Sequence, residues 1–159
     1  MFFKFLFDRA ASLFGLIFLS LVLLIVGILI RVKMPGGPVI FKQKRVGRYG
    51  KLFTMYKFRS MRVVKAATEA SLRPDEDRIF PFGHFIRKVK IDELPQLLNI
   101  LNGTMSIIGP RPVAQDQFEM FRYGKWNEAA KVPVGLSGPA ALYDFIYGDQ
   151  ITDEKEYME

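Results

Sequence analysis

The chain has 159 residues, enough for one domain, and half of them are hydrophobic. Its formal net charge is nevertheless +7, a combination that indicates a membrane surface, a nucleic acid or a polyanionic substrate such as a nucleoside diphosphate. The absence of cysteine and the single histidine, His84, exclude disulfides, thiolate metal sites and multi-histidine metal sites. Any catalysis must therefore rest mainly on carboxylates, Lys, Arg, Tyr or backbone groups, and we interpret His84 as a local hydrogen-bonding residue.

A stretch of 21 uncharged residues lies between Arg9 and Arg31. At about 1.5 Å per residue, a straight helix of that length covers roughly 32 Å, close to the bilayer hydrocarbon thickness of about 30 Å. The stretch is longer than the roughly 7 to 15 apolar residues of a signal-peptide core, and no small-x-small cleavage pattern follows it. The sequence therefore predicts a retained membrane segment in residues 1–34.

The flanking charges bear on the topology of this segment. Basic residues stand at both ends but are more numerous on the C-terminal side, so residues 35–159 are expected at the cytoplasmic face. A full span and a hairpin that returns to the same leaflet both stay open, and the physical argument alone favours the full span. Ser20, near the middle, can bend a helix by donating a hydrogen bond to an earlier carbonyl.

Residues 34–61 predict a small β-hairpin. The helix is broken by PGGP, and the short runs VIF and LFTMY are separated by the glycine turn VGRYG. Basic residues alternate with aromatic ones here: Lys42, Lys44, Arg45, Arg48, Lys51, Lys57, Arg59 and Arg62. Because no nucleic-acid-binding motif accompanies them, nucleic acid is not an expected partner, and anionic head groups or a diphosphate fit better.

Adjacent carboxylates, Asp92 and Glu93, stand inside a helical pattern that runs from residue 80 to residue 101 with a break near Ile91. Pro95 belongs in the first turn of a helix, which places the pair at or just before a helix N-terminus. The pair is interpreted either as an ordinary helix start or as an anionic site beside bound phosphate, with Arg87 as its clamp. The polar residues 63–78 before this pattern are expected to contribute no site.

Three further segments complete the predicted fold. The sequence NGTMSIIGPRP indicates a turn, a short strand SII and a rigid loop that presents Arg111 between two prolines. Residues 114–131 fit an amphipathic helix at the head-group level or, as the alternative, a core-facing helix. The predicted class is α+β: a membrane helix followed by a small, mostly helical domain with a short β-hairpin and interfacial amphipathic helices.

Taken together, several stretches resemble the bacterial sugar transferase family, the monotopic phosphoglycosyl transferases of membrane glycoconjugate assembly. These stretches are KMPGGPVIFKQKRVGRYGKLFTMYKFRSM, PFGHFIRKVKIDELPQLLNILNGTMSIIGPRP and VPVGLSG. The match runs from about residue 5 to residue 138, and its motifs stand in the order of the family.

The resemblance implies a reaction and a set of site residues. Members transfer a sugar-1-phosphate from a UDP-sugar to polyprenol (undecaprenyl) phosphate, release UMP and need Mg²⁺. By resemblance, Asp92 is the nucleophile that forms a covalent phospho-sugar intermediate, and Glu93 binds Mg²⁺. Positions near phosphate are matched by Arg87 and Arg111, and we predict that the hairpin cations Lys57 and Arg59 join them.

The resemblance also shifts the expected topology to a re-entrant helix in the bacterial inner membrane, with the catalytic domain, residues 35–159, on the cytoplasmic face. Two departures stand out: Leu21 follows Ser20 where members commonly have proline, and GPAALYDFIYGDQ replaces a further arginine-bearing segment. The sugar, the glycan pathway and homo-oligomerisation are therefore left undetermined. The alternative function is a non-catalytic, membrane-anchored basic module that binds anionic lipid or a partner protein.

Overall fold

The computed structural model describes residues 2–63, 78–114 and 129–138. Contacts divide the chain into two units, the first made of Met1–Gln43 and Thr54–Asn102 and the second of Lys44–Phe53 and Gly103–Glu159. Both helices and strands are present, which confirms the mixed class predicted from the sequence. The expected domain boundary after residue 34 stays a prediction.

The N-terminal apolar stretch forms two helices, α1 (Phe2–Phe18) and α2 (Ser20–Lys33), which meet at a 62° bend. Within the described residues no single helix is long and apolar enough to cross a membrane, whereas the bent pair meets that requirement by length and composition. At the break, Leu19 has φ −90° and ψ 3°, and the Ser20 hydroxyl donates to the Ile17 carbonyl at 2.7 Å. A serine bond to an earlier carbonyl thus accompanies the bend in the absence of proline.

Most large side chains of this helix pair are exposed. The exposed set is Phe2, Phe3, Leu6, Phe7, Leu13, Phe14, Ile17, Phe18, Leu21, Val22, Leu24, Ile25, Ile28 and Val32. A continuous apolar surface of this kind is unfavourable in water at about 25 cal/mol per Å², and such patches mark membrane or protein contacts.

A β-hairpin follows, with strands β1 (Ile40–Val46) and β2 (Leu52–Phe58) paired in a two-stranded sheet. This confirms the hairpin predicted from the two apolar runs and the glycine turn. The turn closes where the Gly47 amide donates to the Lys51 carbonyl at 2.9 Å. Tyr49, at the turn, adopts a left-handed conformation with φ 57°.

Helix α3 (Pro81–Lys88) opens with proline at its first position and ends before Lys90, which is left-handed with φ 58°. A 3₁₀ helix, here named the dyad segment (Ile91–Gln96), leads directly into the short helix α4 (Leu97–Leu101). The predicted break near residue 91 is confirmed. Pro95 lies inside the 3₁₀ helix. Because proline has no N–H to donate to an α-helical hydrogen bond, the regular α-helix begins only after it, at Leu97.

The core of the first unit joins α2 to elements that follow it in the chain. Its buried members are Val26 and Ile30 from α2, Phe58 from β2 and Ile86 from α3. Fully burying such a side chain stabilises the fold by about 1.5–3 kcal/mol. The N-terminal helix pair is therefore part of the folded unit as well as a candidate membrane segment.

Helix α1 packs on α4, close to the dyad segment. The Ser12 hydroxyl is buried and donates to the Leu97 carbonyl at 2.5 Å. A Cβ built on Gly15 would stand 3.5 Å from Leu97 Cδ1, so the two helices approach closely there. Helix α1 thereby supports the C-terminal end of the dyad segment.

In the second unit, strands β3 (Ser106–Ile108) and β4 (Gly135–Ser137) pair in parallel, with Ser106 opposite Gly135 and Ile108 opposite Ser137. The strand predicted from SII is confirmed. The Cα of Gly135 lies against the backbone of Gly109 with no room for a Cβ, so this pairing requires glycine. The amphipathic helix expected at residues 114–131 falls outside the described residues except at its two ends.

Candidate active site

The dyad segment places Asp92 and Glu93 in the first turn of a 3₁₀ helix, just before α4, as the sequence predicted. The residue at the N-cap is Lys90, and the segment has no side-chain capping bond, so Asp92 does not act as the cap. Helix α4 is only five residues long and can contribute little dipole field. Cationic side chains are therefore the stronger candidates for attracting an anion to this place.

Asp92 carries a buried carboxylate. Its side chain and backbone are together only 7% exposed, and Oδ1 has no hydrogen-bond partner among the described residues. Burial raises the pKa of Asp92, and the charge of Lys57 acts in the opposite direction. Burying an incompletely paired carboxylate is unfavourable, so such a group in a cleft is a candidate for function.

Glu93 is held by Lys57. The Lys57 ammonium donates to Glu93 Oε1 at 2.8 Å, and both side chains are partly buried. This ion pair ties β2, which carries Lys57, to the dyad segment. Lys57 was predicted as a phosphate-binding residue, and its observed partner in the described residues is the acidic dyad itself.

Asp92 opens onto a cleft of about 280 Å³ in the first unit. Its charged lining consists of Lys57, Arg59, Arg62, Arg78, Arg87 and Asp92. Phe41, Phe58, Met61 and Val63 supply its apolar lining. Four of the predicted site residues, Lys57, Arg59, Arg87 and Asp92, are thus brought together, and the cations around one carboxylate can bind phosphate oxygens.

Arg59 is the most buried cation of the cleft at 3% exposure. Its Nη2 donates to the carbonyl of Met34, the residue that follows α2, and its guanidinium lies against Gly37 where a Cβ has no room. Burial and the charge of Arg31 lower the pKa of Arg59, and its Nε has no hydrogen-bond partner within the described part of the chain. Arg59 therefore links the cleft to the end of α2.

Arg87 is placed by α3. One turn earlier on the same face, the Cα of Gly83 contacts the Ser60 carbonyl so closely that a Cβ would overlap it. Ser60 itself lines the cleft. The absence of a side chain at Gly83 therefore lets α3 approach the end of β2 closely enough for Arg87 to line the cleft.

The remaining predicted residues lie elsewhere. Arg111 is exposed in the loop after β3, in the second unit, and its phosphate role stays a prediction. Ser20 lies at the bend of the helix pair. His84 is exposed on α3 and is not part of the cleft lining described above.

Residues 63–78 were expected to contribute no site, yet the two residues at the edges of this stretch, Val63 and Arg78, line the cleft. Their position follows from a bridge between Met61 and Ile79, beside which the Arg62 amide donates to the Arg78 carbonyl at 2.9 Å. This pairing is distant in sequence and has no local pattern. The available sequence signal for a cationic lining was Arg62 and Arg78, which stand at the two ends of the polar stretch.

Comparison with known sequences identifies the family. The profile of the family described as bacterial sugar transferase matches residues 1–158, and the chain therefore belongs to that family. The chain is 42% identical over 139 residues to the sugar transferase EpsL of Bacillus subtilis. The aligned region covers 87% of this chain and 67% of EpsL.

Longer relatives share this region. The galactosyl transferase CpsE of Streptococcus agalactiae is 35% identical over 165 residues, which covers 96% of this chain and 35% of the relative. The UDP-glucose:undecaprenyl-phosphate glucose-1-phosphate transferase of Escherichia coli is 42% identical over 149 residues, 91% of this chain and 31% of the relative. The chain thus corresponds to about a third of each of these two proteins.

Proposed function

We propose that this chain transfers a sugar-1-phosphate from a UDP-sugar to a membrane polyprenol phosphate and releases UMP, as the first membrane step of glycoconjugate assembly. The observation that carries the proposal is the buried Asp92 carboxylate, whose Oδ1 lacks a hydrogen-bond partner among the described residues, in a cleft lined by cations. The reaction named for the E. coli relative supports it, since that name specifies a UDP-sugar and undecaprenyl phosphate.

Asp92 is the proposed nucleophile. A carboxylate oxygen attacks the phosphorus that bears the sugar, a new P–O bond forms, and the P–O bond to UMP breaks with the electron pair leaving on UMP. A phosphate oxygen of the polyprenol then attacks the same phosphorus, and the bond to Asp92 breaks to restore the carboxylate. An ionised carboxylate needs no general base, which suits a chain with a single histidine.

The cleft cations neutralise the diphosphate during this exchange. Phosphoryl transfer depends chiefly on positioning and on stabilising charge, and pre-positioned cations supply both. The buried Arg59 is fixed by its bond to Met34, so little side-chain freedom is lost when it binds. Arg87, held on α3, completes the cationic wall beside Asp92.

Magnesium fits this site as an ion shared with substrate. Among the described residues no group of three or more acidic or histidine side chains could hold a metal alone. Mg²⁺, however, typically takes one or two carboxylates together with phosphate oxygens and water, and the dyad offers two adjacent carboxylates. Glu93 is the proposed ligand, and the bound ion would neutralise charge on the departing UMP.

The bent helix pair is proposed to enter and leave the cytoplasmic leaflet of the bacterial inner membrane. The 62° bend and the exposed apolar surface support this topology. A lipid acceptor and an enzyme confined to one interface meet at a raised effective concentration. Because the chain has no cysteine, a single Phe3→Cys substitution provides a clean probe. Labelling from the cytoplasmic side is expected, and labelling from the periplasmic side would contradict the re-entrant form.

The reaction is tested with the full chain in nanodiscs, a panel of UDP-sugars, Mg²⁺ and undecaprenyl phosphate. We expect UMP release with at least one sugar, and without acceptor a mass increase on the protein equal to one sugar phosphate. Asp92→Asn should lower turnover by at least about 10³-fold and abolish the adduct. If no UDP-sugar yields UMP while anionic vesicles bind in a salt-sensitive manner, the non-catalytic module is the correct function.

A further inference from the structure

Asn99, on α4, makes two hydrogen bonds to the backbone of β2. It is 2% exposed, its Nδ2 donates to the Thr54 carbonyl at 2.7 Å, and its Oδ1 accepts from the Tyr56 amide at 3.1 Å. Alternate residues of a strand present their backbone groups to the same edge. The Asn99 amide therefore takes the place of a neighbouring strand on β2.

These bonds lie next to the acidic dyad in both elements. On β2, Lys57 follows Tyr56 directly and pairs with Glu93 at 2.8 Å. On the helical side, Asn99 stands six residues after Glu93, beyond the dyad segment. A neutral link through Asn99 and a charged link through Lys57 thus join the same strand to the same stretch of chain.

The orientation of β2 in turn determines the wall of the cleft. Lys57 and Phe58, the last residues of β2, and Arg59, directly after it, all line the cleft into which Asp92 opens. A rotation or shift of the strand would move these three side chains together. The Asn99 bonds, at Thr54 and Tyr56, fix the strand three residues and one residue before the cleft wall begins at Lys57.

We propose that Asn99 is a positioning residue for the phosphosugar transfer, holding β2 in register with the dyad segment so that Lys57 meets Glu93 and the cationic wall faces Asp92. The inference rests on the proposed function. Asn99 acts through Lys57 and Arg59 and does not touch the reacting atoms. An amide suits this task because it offers one donor and one acceptor side by side, whereas aspartate only accepts and leucine does neither.

The test compares Asn99→Leu, which keeps the size but removes both bonds, with Asn99→Asp, which keeps only the acceptor. Asn102→Leu, at the exposed end of the same helix, is the matched control. For the full chain in nanodiscs, Asn99→Leu should lower kcat for UMP release by about 10²-fold per folded enzyme, the usual effect of a misplaced group, with a smaller change in KM. Asn99→Asp keeps the Tyr56 bond but sets a buried carboxylate oxygen against the Thr54 carbonyl, so it should lower kcat at least as far as Asn99→Leu.

A double variant separates positioning from general stabilisation. If Asn99 acts through Lys57, adding Asn99→Leu to Lys57→Met should lower kcat by much less than Asn99→Leu does alone. Multiplicative effects of Asn99→Leu with Lys57→Met and likewise with Arg59→Met, or an unchanged kcat in Asn99→Leu, would overturn the proposal. Should Asn99→Leu not fold, Asn99→Ala, which removes both bonds without adding a charge, enters the same double variant and the same two outcomes decide.

Hydrogen exchange gives a readout that does not depend on turnover. Positioning predicts faster amide exchange over residues 54–58 in Asn99→Leu than in wild type or Asn102→Leu, and equal exchange overturns it. If the wild-type chain releases no UMP from any UDP-sugar, both the proposed function and this inference are wrong. If the wild type is active and the Asn99 variants have the same kcat, only this inference is wrong.

Discussion

Asp92 has a carboxylate that is buried, with Oδ1 lacking a hydrogen-bond partner among the described residues. Burial raises its pKa and so does the neighbouring Glu93, while the charges of Lys57, Arg87 and Lys90 oppose the shift. The raised pKa means that the ionised form of Asp92 is less favourable in the folded chain than in the unfolded chain. The stabilising contribution of Asp92 is therefore complete below its ordinary pKa and is lost as the pH rises through the folded value.

The first prediction follows for Asp92→Asn in the absence of Mg²⁺ and nucleotide. At pH 7 the variant should melt a few degrees above wild type, because it removes a buried charge. The difference should shrink as the pH is lowered toward the ordinary aspartate pKa of 3.8, because Asp92 in the folded wild type, with its raised pKa, becomes protonated before that pH is reached.

Thermal unfolding in detergent at several pH values measures this effect. Glu93→Gln is the contrasting control, because it disrupts the ion pair with Lys57 and should lower the melting temperature at pH 7. A melting temperature for Asp92→Asn below that of wild type at neutral pH would show that the ionised carboxylate is stabilising. Stability and reactivity would then not oppose one another at this residue.

At the scale of elements, α3 depends on a glycine for its distance from β2. Replacing a helical glycine with alanine usually stabilises a helix by about 0.5–1 kcal/mol. At Gly83 the added methyl would overlap the Ser60 carbonyl, so the steric overlap outweighs the gain in helix stability and the substitution is destabilising. Helix α3 must move away from the cleft, and Arg87 moves with it.

The second prediction is that Gly83→Ala destabilises the chain by about 1–3 kcal/mol and lowers UMP release. Gly27→Ala on α2 is the matched control, because its added Cβ would stand 3.6 Å from Val39, an ordinary contact. Chemical denaturation and turnover measurements check both variants. Equal behaviour of the two variants would contradict the close approach of α3 to Ser60.

Elements governed by local patterns were predictable from the sequence. The apolar run, the glycine turn between β1 and β2, and Pro95 with its adjacent carboxylates each carry a signal within a few residues. The 62° bend at Leu19 lies beside Ser20, the residue that the sequence indicated, although no proline marks the position. The lining role of Arg78 and the bonds of Asn99 to β2 were not predicted, since both depend on contacts between distant segments.

At the scale of the first unit, helix α2 belongs to the folded core. Ile30 is 0% exposed and packs in the cluster that includes Phe58 and Ile86. Phe58 lies at the end of β2, and Ile86 lies on α3 next to Arg87. Removing the N-terminal helices would therefore expose the core behind the cleft. Residues 35–159 alone are not expected to fold as this unit does.

The third prediction compares two isoleucines on α2. Ile30→Ala should destabilise the chain by about 2–5 kcal/mol, the usual effect of a buried large-to-small change. Ile28→Ala, on the exposed side at 53%, should change the free energy of unfolding much less. Denaturant titration of the two variants in the same detergent provides the comparison. A similar loss for both would place α2 outside the core.

The bond between Arg59 and the Met34 carbonyl has a mechanical consequence, since it attaches a cation of the cleft to the point where α2 ends. A bilayer whose thickness does not match the helix pair shifts or tilts the inserted helices. The fourth prediction is that UMP release varies with acyl-chain length in vesicles of constant head group, and that Arg59→Met weakens this dependence in whatever activity remains. Identical rates across chain lengths would contradict it. If the rate does follow acyl-chain length, the thickness of the host membrane regulates the proposed reaction.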